Sequence, residues 1–216
     1  MAHTQVMLTN NTVLQKPELE LLKTNLETNW PGWSIAISVR EPTETIKIET
    51  DHSPSNPRVD HDNVGVMYCE HGRYELGDRR ADDPRTLPKK TIAISAPIYL
   101  YDHSGLTVSH GAFSCQWDSG QIGMHYITVA KADKEWGKGK WTIKQLENLL
   151  KSELEIYDHY LQGNVWGYVI EDEDGETTDS CWGFYGNKLD KTGILENIPD
   201  DLHDKAKKAW EDRYDA

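Results

Sequence analysis

The sequence predicts an α+β fold: a mixed or mainly antiparallel sheet with one long amphipathic helix packed on one face. Three patterns carry that expectation. Several short apolar or alternating runs bounded by turn formers read as strands. Asp174-Gly175, set between two such runs, reads as a hairpin turn. From Trp141 to Leu161 the apolar residues Ile143, Leu146, Leu149, Leu150, Leu154, Ile156, Tyr157 and Leu161 recur at helical spacing, with Thr142 placed to cap the start.

The elements follow in chain order. Pro17–Thr28 places Leu19, Leu22 and Leu26 on one helical face, after a short opening strand. W-S-I-A-I-S-V-R (33–40) and Thr45–Glu49 alternate around Glu41-Pro42 and predict a hairpin. Residues 51–63 are turn formers and polar side chains, expected to cross the surface as a loop. V-G-V-M-Y-C (64–69) predicts a strand, and the polar segment from Glu70 to Arg85 an exposed connection. Thr91–Tyr101 and Ile122–Ala130 predict further strands, the first rich in β-branched residues. Val165–Ile170 and Asp179–Tyr185 flank E-D-E-D-G-E; this acidic run lacks the ligand ladder and closing Glu of a calcium loop, so the hairpin is the better reading. Pro199–Trp210 predicts a charged closing helix. The chain is read as one domain over 1–216, with 1–62 an N-terminal layer, 63–186 a motif-bearing core and 187–216 a helical tail.

Composition limits the function classes. Lys and Arg number 23 against 36 Asp and Glu, a formal charge of -13 that repels phosphate backbones, so direct nucleic-acid binding is not expected. An acidic surface instead suits a basic patch on a protein partner. Eight Trp and ten Tyr against two Phe make the large side chains mostly amphipathic, suited to a core and to a binding wall alike. No run of about 20 apolar residues offers a membrane span. Cys69, Cys115 and Cys181 cannot all pair within one chain, and no signal-peptide pattern opens the sequence, so a reducing cytoplasm is expected.

Chemistry-bearing residues gather at expected strand ends: Cys69-Glu70-His71, Asp102-His103-Ser104-Gly105 with Cys115 to Gln121, and Asp179-Ser180-Cys181-Trp182-Gly183. One sheet would bring these ends together at an edge. Three readings stand side by side. In the first, Cys115 is a nucleophile, His103 or His71 its base and Asp102 or Asp118 the orienter, because a thiol needs a nearby imidazole to ionise at neutral pH. No nucleophile motif supports it; W-D-S-G-Q is not G-x-S-x-G, so Ser119 lacks the elbow context. In the second, Cys69, His71, Cys115 and Cys181 form a zinc site, although only C-x-H provides a local pair of ligands. In the third, Gly105, Gly111, Gly120 and Gly123 support a polar turn network whose amides cradle a nucleotide or other small anion. The ligand contacts would come from Asp102, Ser104, Trp117, Ser119, Gln121, Asp179 and Trp182, the Trp rings and Trp166 offering stacking faces.

Y-L-Y-D-H-S-G, F-S-C-x-W-D-S-G-Q-I-G and D-S-C-W-G-F-Y-G, with M-Y-C-E-H-G-R-Y-E-L-G-D upstream and Y-D-H-Y-L-Q-G-N-V-W-G-Y after the long helix, resemble a family of uncharacterised bacteriophage and mobile-element proteins. The resemblance covers roughly residues 63–186. It implies a setting in an infected host cell, where small acidic proteins act on host machinery or host immunity. The expected function is therefore an accessory protein that binds and inhibits a host defence or nucleic-acid-handling protein through an acidic, aromatic surface. The alternative is a small-molecule or nucleotide hydrolase, or a nucleotide-sequestering protein, built on Asp102, His103, Cys115 and Asp118.

Overall fold

The computed structural model describes residues 44–213, all within a compact unit that spans 42–216. The expected helix over 17–28 and the strand over 33–40 lie outside the described residues. Among the described residues, seven strands form two antiparallel sheets instead of one. The first runs in the order β1 (Thr45–Thr50), β6 (Val165–Glu171), β7 (Thr177–Tyr185). The second runs β2 (Val66–Cys69), β5 (Ser119–Thr128), β3 (Ile92–Asp102), β4 (Leu106–Ser109).

Each sheet buries one face against helices. Alternation in β1 turns Ile46 and Ile48 inward, opposite Ile170 and Tyr168 of β6. This face packs on Leu189, Ile194, Ile198, Leu202, Ala206 and Trp210 from α4 (Leu189–Thr192), α5 (Ile194–Asn197), a 3₁₀ turn at Asp200–Leu202 and α6 (His203–Asp212). The β6–β7 hairpin turns where expected. Asp172 spends its carboxylate on the amides of Asp174 and Glu176, both at 3.0 Å, and Gly175 takes φ +82°.

The second sheet is covered by the 19-residue helix α3 (Ile143–Leu161). Thr142 caps it in a capping box with Gln145. Leu146, Leu150, Leu154 and Tyr157 descend from it onto Met67, Ile98, Leu100, Val108, Ile122 and Ile127. Glu153 is buried in the same stripe.

Three local expectations change. The strand expected to run through Ala130 ends at Thr128, whose hydroxyl accepts from the Lys131 amide and starts α2 (Val129–Trp136). Leu106–Ser109, read as part of a polar loop, is a strand returning along β3 from the Asp102–Gly105 turn, where Ser104 takes φ +58°. The surface loop over 51–63 contains a one-turn helix, α1 (Pro57–Asp60), capped by Asn56, which buries Arg58.

Candidate functional site

Two separate polar constellations are built on the four-stranded sheet. The first is the expected one in part. β2 ends at Cys69, β3 at Asp102, and β5 begins at Ser119 between them, so antiparallel pairing sets Glu70, His71, Asp102, Asp118, Ser119 and Gln121 around a cleft of about 390 Å³. Trp117 stands at this cleft with 96% of its surface exposed. The Tyr74 hydroxyl donates to both oxygens of Asp102 at 3.2–3.3 Å, and Arg73 approaches the same carboxylate at 3.7 Å. Asp102 is also tied to Asp118 through the backbone, amide to carbonyl at 2.8 Å.

His103, Cys115 and Asp118 do meet, and they meet around one atom. His103 Nδ1 lies 3.3 Å from Asp118 Oδ2, and the Cys115 thiol donates to that same oxygen at 3.6 Å. The carboxylate thus sits between thiol and imidazole, and no direct thiol–imidazole bond is formed among the described residues. Ser119 donates its hydroxyl to the Cys115 carbonyl and so closes the turn. Gln121 reaches back to the Gly123 carbonyl at 3.3 Å. Ser104 sits exposed in the β3–β4 turn and does not line the cleft.

The third cluster is elsewhere. Asp179, Cys181 and Trp182 belong to β7, in the other sheet, because the hairpin 165–185 pairs with β1 and not with the strands around Asp102. Asp179 accepts the Tyr168 hydroxyl at 2.9 Å. Trp182 lies across Gly167, where a Cβ would come within 2.1 Å of the indole, so a backbone without side chain makes the slot for its ring. The zinc quartet of Cys69, His71, Cys115 and Cys181 is therefore not assembled. Among the described residues no group of three or more His, Cys, Asp or Glu is placed to hold a metal ion. Burial, then the Asp78 charge, push the Cys69 thiol up to about 12, which keeps it protonated at neutral pH.

The second constellation was not among the sequence expectations. Arg58, its side chain 1% exposed, grips Asp78 with Nε and Nη2 at 2.6 and 2.9 Å, Glu153 with Nη1 at 3.1 Å, and the Gly65 carbonyl with Nη2 at 2.8 Å. Glu153 accepts the amides of Val64 and Gly65 on Oε1, at 2.9 and 3.1 Å, and His125 Nε2 lies 3.2 Å from its Oε2. His125 Nδ1 is in turn 3.3 Å from His110 Nε2, and His110 faces a second cleft. Asp78 completes the assembly by exchanging two bonds with Met67, accepting its amide at 3.0 Å and donating its own to the Met67 carbonyl at 2.8 Å. Gly77 makes that approach feasible: at φ +71° a Cβ would stand 2.5 Å from the Met67 carbonyl.

The partners fix the protonation states. Burial by itself would raise the Glu153 pKa, but the bonds from His125 and the Gly65 amide, with the Arg58 charge, overcome it and hold the carboxyl at about 2. An ionised Glu153 only accepts, so His125 carries its proton on Nε2 and presents a bare Nδ1. Desolvation lowers the His125 pKa, Arg58 adding to it against the pull of Glu153 and Asp78. His110 is pushed down to about 4 by desolvation and by His125.

These shifts share one sign. A group whose pKa is lower folded than unfolded lets the unfolded chain bind the proton first, so stability present at neutral pH is lost on acidification. His110 loses its part between about 6.5 and 4, and Glu153 its part between 4.5 and about 2. Urea midpoints recorded from pH 7 to pH 4 are expected to fall steadily, and His110→Gln to flatten part of the decline. A midpoint constant over that range would contradict the neutral state of both imidazoles.

The sequence did hold one signal for this network. Glu153 lies seven residues after Leu146 and three after Leu150, on the apolar stripe of the long helix, where an acid must find partners. Among the described residues no helix is long and apolar enough to cross a membrane. Compared with protein-family models, curated proteins and solved structures, the chain matches none.

Proposed function

We propose that this chain is a binding protein that inhibits a host defence or nucleic-acid-handling protein by docking on a basic patch of that partner. The observation that carries the reading is Trp117, 96% exposed beside a cleft lined by Glu70, Asp102 and Asp118. A side chain that buries roughly 150–250 Å² when covered is costly to leave in water, and Trp is prominent among the residues that dominate protein interfaces. An Arg or Lys of a partner would stack on the indole while its charge meets the carboxylates behind. The formal charge of -13 steers the chain towards basic surfaces and away from free nucleic acid. The bacteriophage setting implied by the resemblance is what makes the partner a host protein and the host cytoplasm the compartment.

Immobilised wild type, Trp117→Ala and Asp118→Asn are compared for proteins retained from a bacterial lysate at low and at high salt. The expected result is a basic protein held by the wild type at low salt, with affinity reduced at least tenfold in Trp117→Ala. Equal retention by all three, or none by the wild type, overturns the proposal.

A further inference from the structure

The second cleft lies between the β3–β4 edge and α3 and encloses about 600 Å³, within the range typical of small-molecule sites. Its floor is apolar, formed in part by Val108, Leu150 and Leu154, all of them buried. His110 stands in its wall. The hydrogen-bond order derived above leaves this imidazole a defined polarity: Nε2–H is given to His125 Nδ1, so Nδ1 keeps its lone pair, and it has no protein partner among the described residues. That polarity is imposed from the interior, because Glu153 can only accept and is itself held by Arg58 and two amides. A surface histidine chooses its tautomer freely; this one is set to accept.

The rim carries charge of both signs. Glu147, Glu155 and Asp158 line it, with Lys151 and Lys191. Asp158 is occupied, accepting the Val108 amide on Oδ1 at 2.8 Å and the Gln162 side-chain amide on Oδ2 at 2.6 Å. Glu147 has Lys144 at 3.9 Å. Glu155, exposed and two turns along from Glu147, has no ion-pair partner among the described residues.

We infer that this cleft is a binding site for a small organic amine, whose apolar body rests on Val108, Leu150 and Leu154 while its ammonium donates to His110 Nδ1 and faces Glu155. The site is independent of the surface around Trp117 and stands or falls without it. The wiring explains why a half-buried histidine is backed by a chain of three further polar residues: each link fixes the proton of the next, so the acceptor meets its ligand already oriented and no rotation or tautomer change is needed on binding.

The full chain is titrated with 2-phenylethylamine at pH 7 while the histidine side-chain nitrogen resonances are followed, with 2-phenylacetate as the anionic counterpart. A saturable shift at His110, carried to His125, with no shift at His71 or His103 and none with the carboxylate, is the expected result. Glu155→Lys, a change at an exposed position, should weaken the amine at least tenfold, and His110→Phe should remove the effect at His125. No saturable shift with the amine, equal shifts with 2-phenylacetate, shifts at His71 and His103 instead, or an affinity unchanged in both variants would each overturn the assignment.

Discussion

Glu153→Ala is expected to destabilise the protein by about 3–5 kcal/mol, the usual consequence of removing one member of a buried ion pair. The loss has several parts that act together. Arg58 keeps Asp78 but faces an empty space where Glu153 Oε2 stood, with its guanidinium still out of water. The amides of Val64 and Gly65 lose their acceptor, the first in a half-buried and the second in a buried position. His125, 0% exposed, loses the partner that fixes its tautomer. Gly65, which lies against this carboxylate, has no side chain with which to fill the vacated volume. Urea unfolding of the variant at pH 7 measures the loss, and Glu153→Gln separates its parts: the amide oxygen can still serve Val64 and Gly65, while the charge facing Arg58 is gone. A variant within 1 kcal/mol of the wild type would mean that the network is solvated and not structural.

Gly123→Ala is the second large effect, expected at about 3 kcal/mol as a severe overpacking. Gly123 pairs with Cys69 across β5 and β2, and a Cβ at this position would come within 1.9 Å of the Tyr68 carbonyl. The obstacle is backbone, so no rotamer relieves it. β2 has only four residues and pairs with β5 alone in its sheet, so it is the strand that must give way. Amide exchange should rise along Val66–Cys69 and at Glu70, which bonds the Ile122 carbonyl at 2.7 Å, while the β6–β7 hairpin keeps its protection. Protection unchanged along β2 would show that the pair separates without disturbing the ladder. The same displacement moves Glu70 and His71, so the binding proposed for Trp117 should weaken with it.

What was legible in the sequence was whatever depends on neighbours along the chain. The period of the Leu146, Leu150, Leu154 stripe and the capping residue Thr142 specify the long helix, and Asp172 with Gly175 specifies the hairpin, because these signals act within one turn of backbone. The meeting of Asp102 with Asp118 was foreseeable from the two long strand patterns they flank, β3 and β5, which pair antiparallel with β4 between them in the chain. Other features needed the tertiary structure. Whether β7 would join the strands around Asp102 depended on sheet pairing, and the pairing of β1 with β6 across more than a hundred residues took Asp179, Cys181 and Trp182 away from the first cleft and left the zinc quartet apart. Arg58, Asp78, His125 and Glu153 come from a loop turn, a polar connection, a strand and a helix, and nothing in their spacing joins them. Their environment does: burial makes an unpaired charge so costly that the fold must gather these four, and only the closed structure determines which charges are buried. The sequence thus determined the long helix, the β6–β7 hairpin and the chain's acidity, while the tertiary structure decided which polar residues share a site.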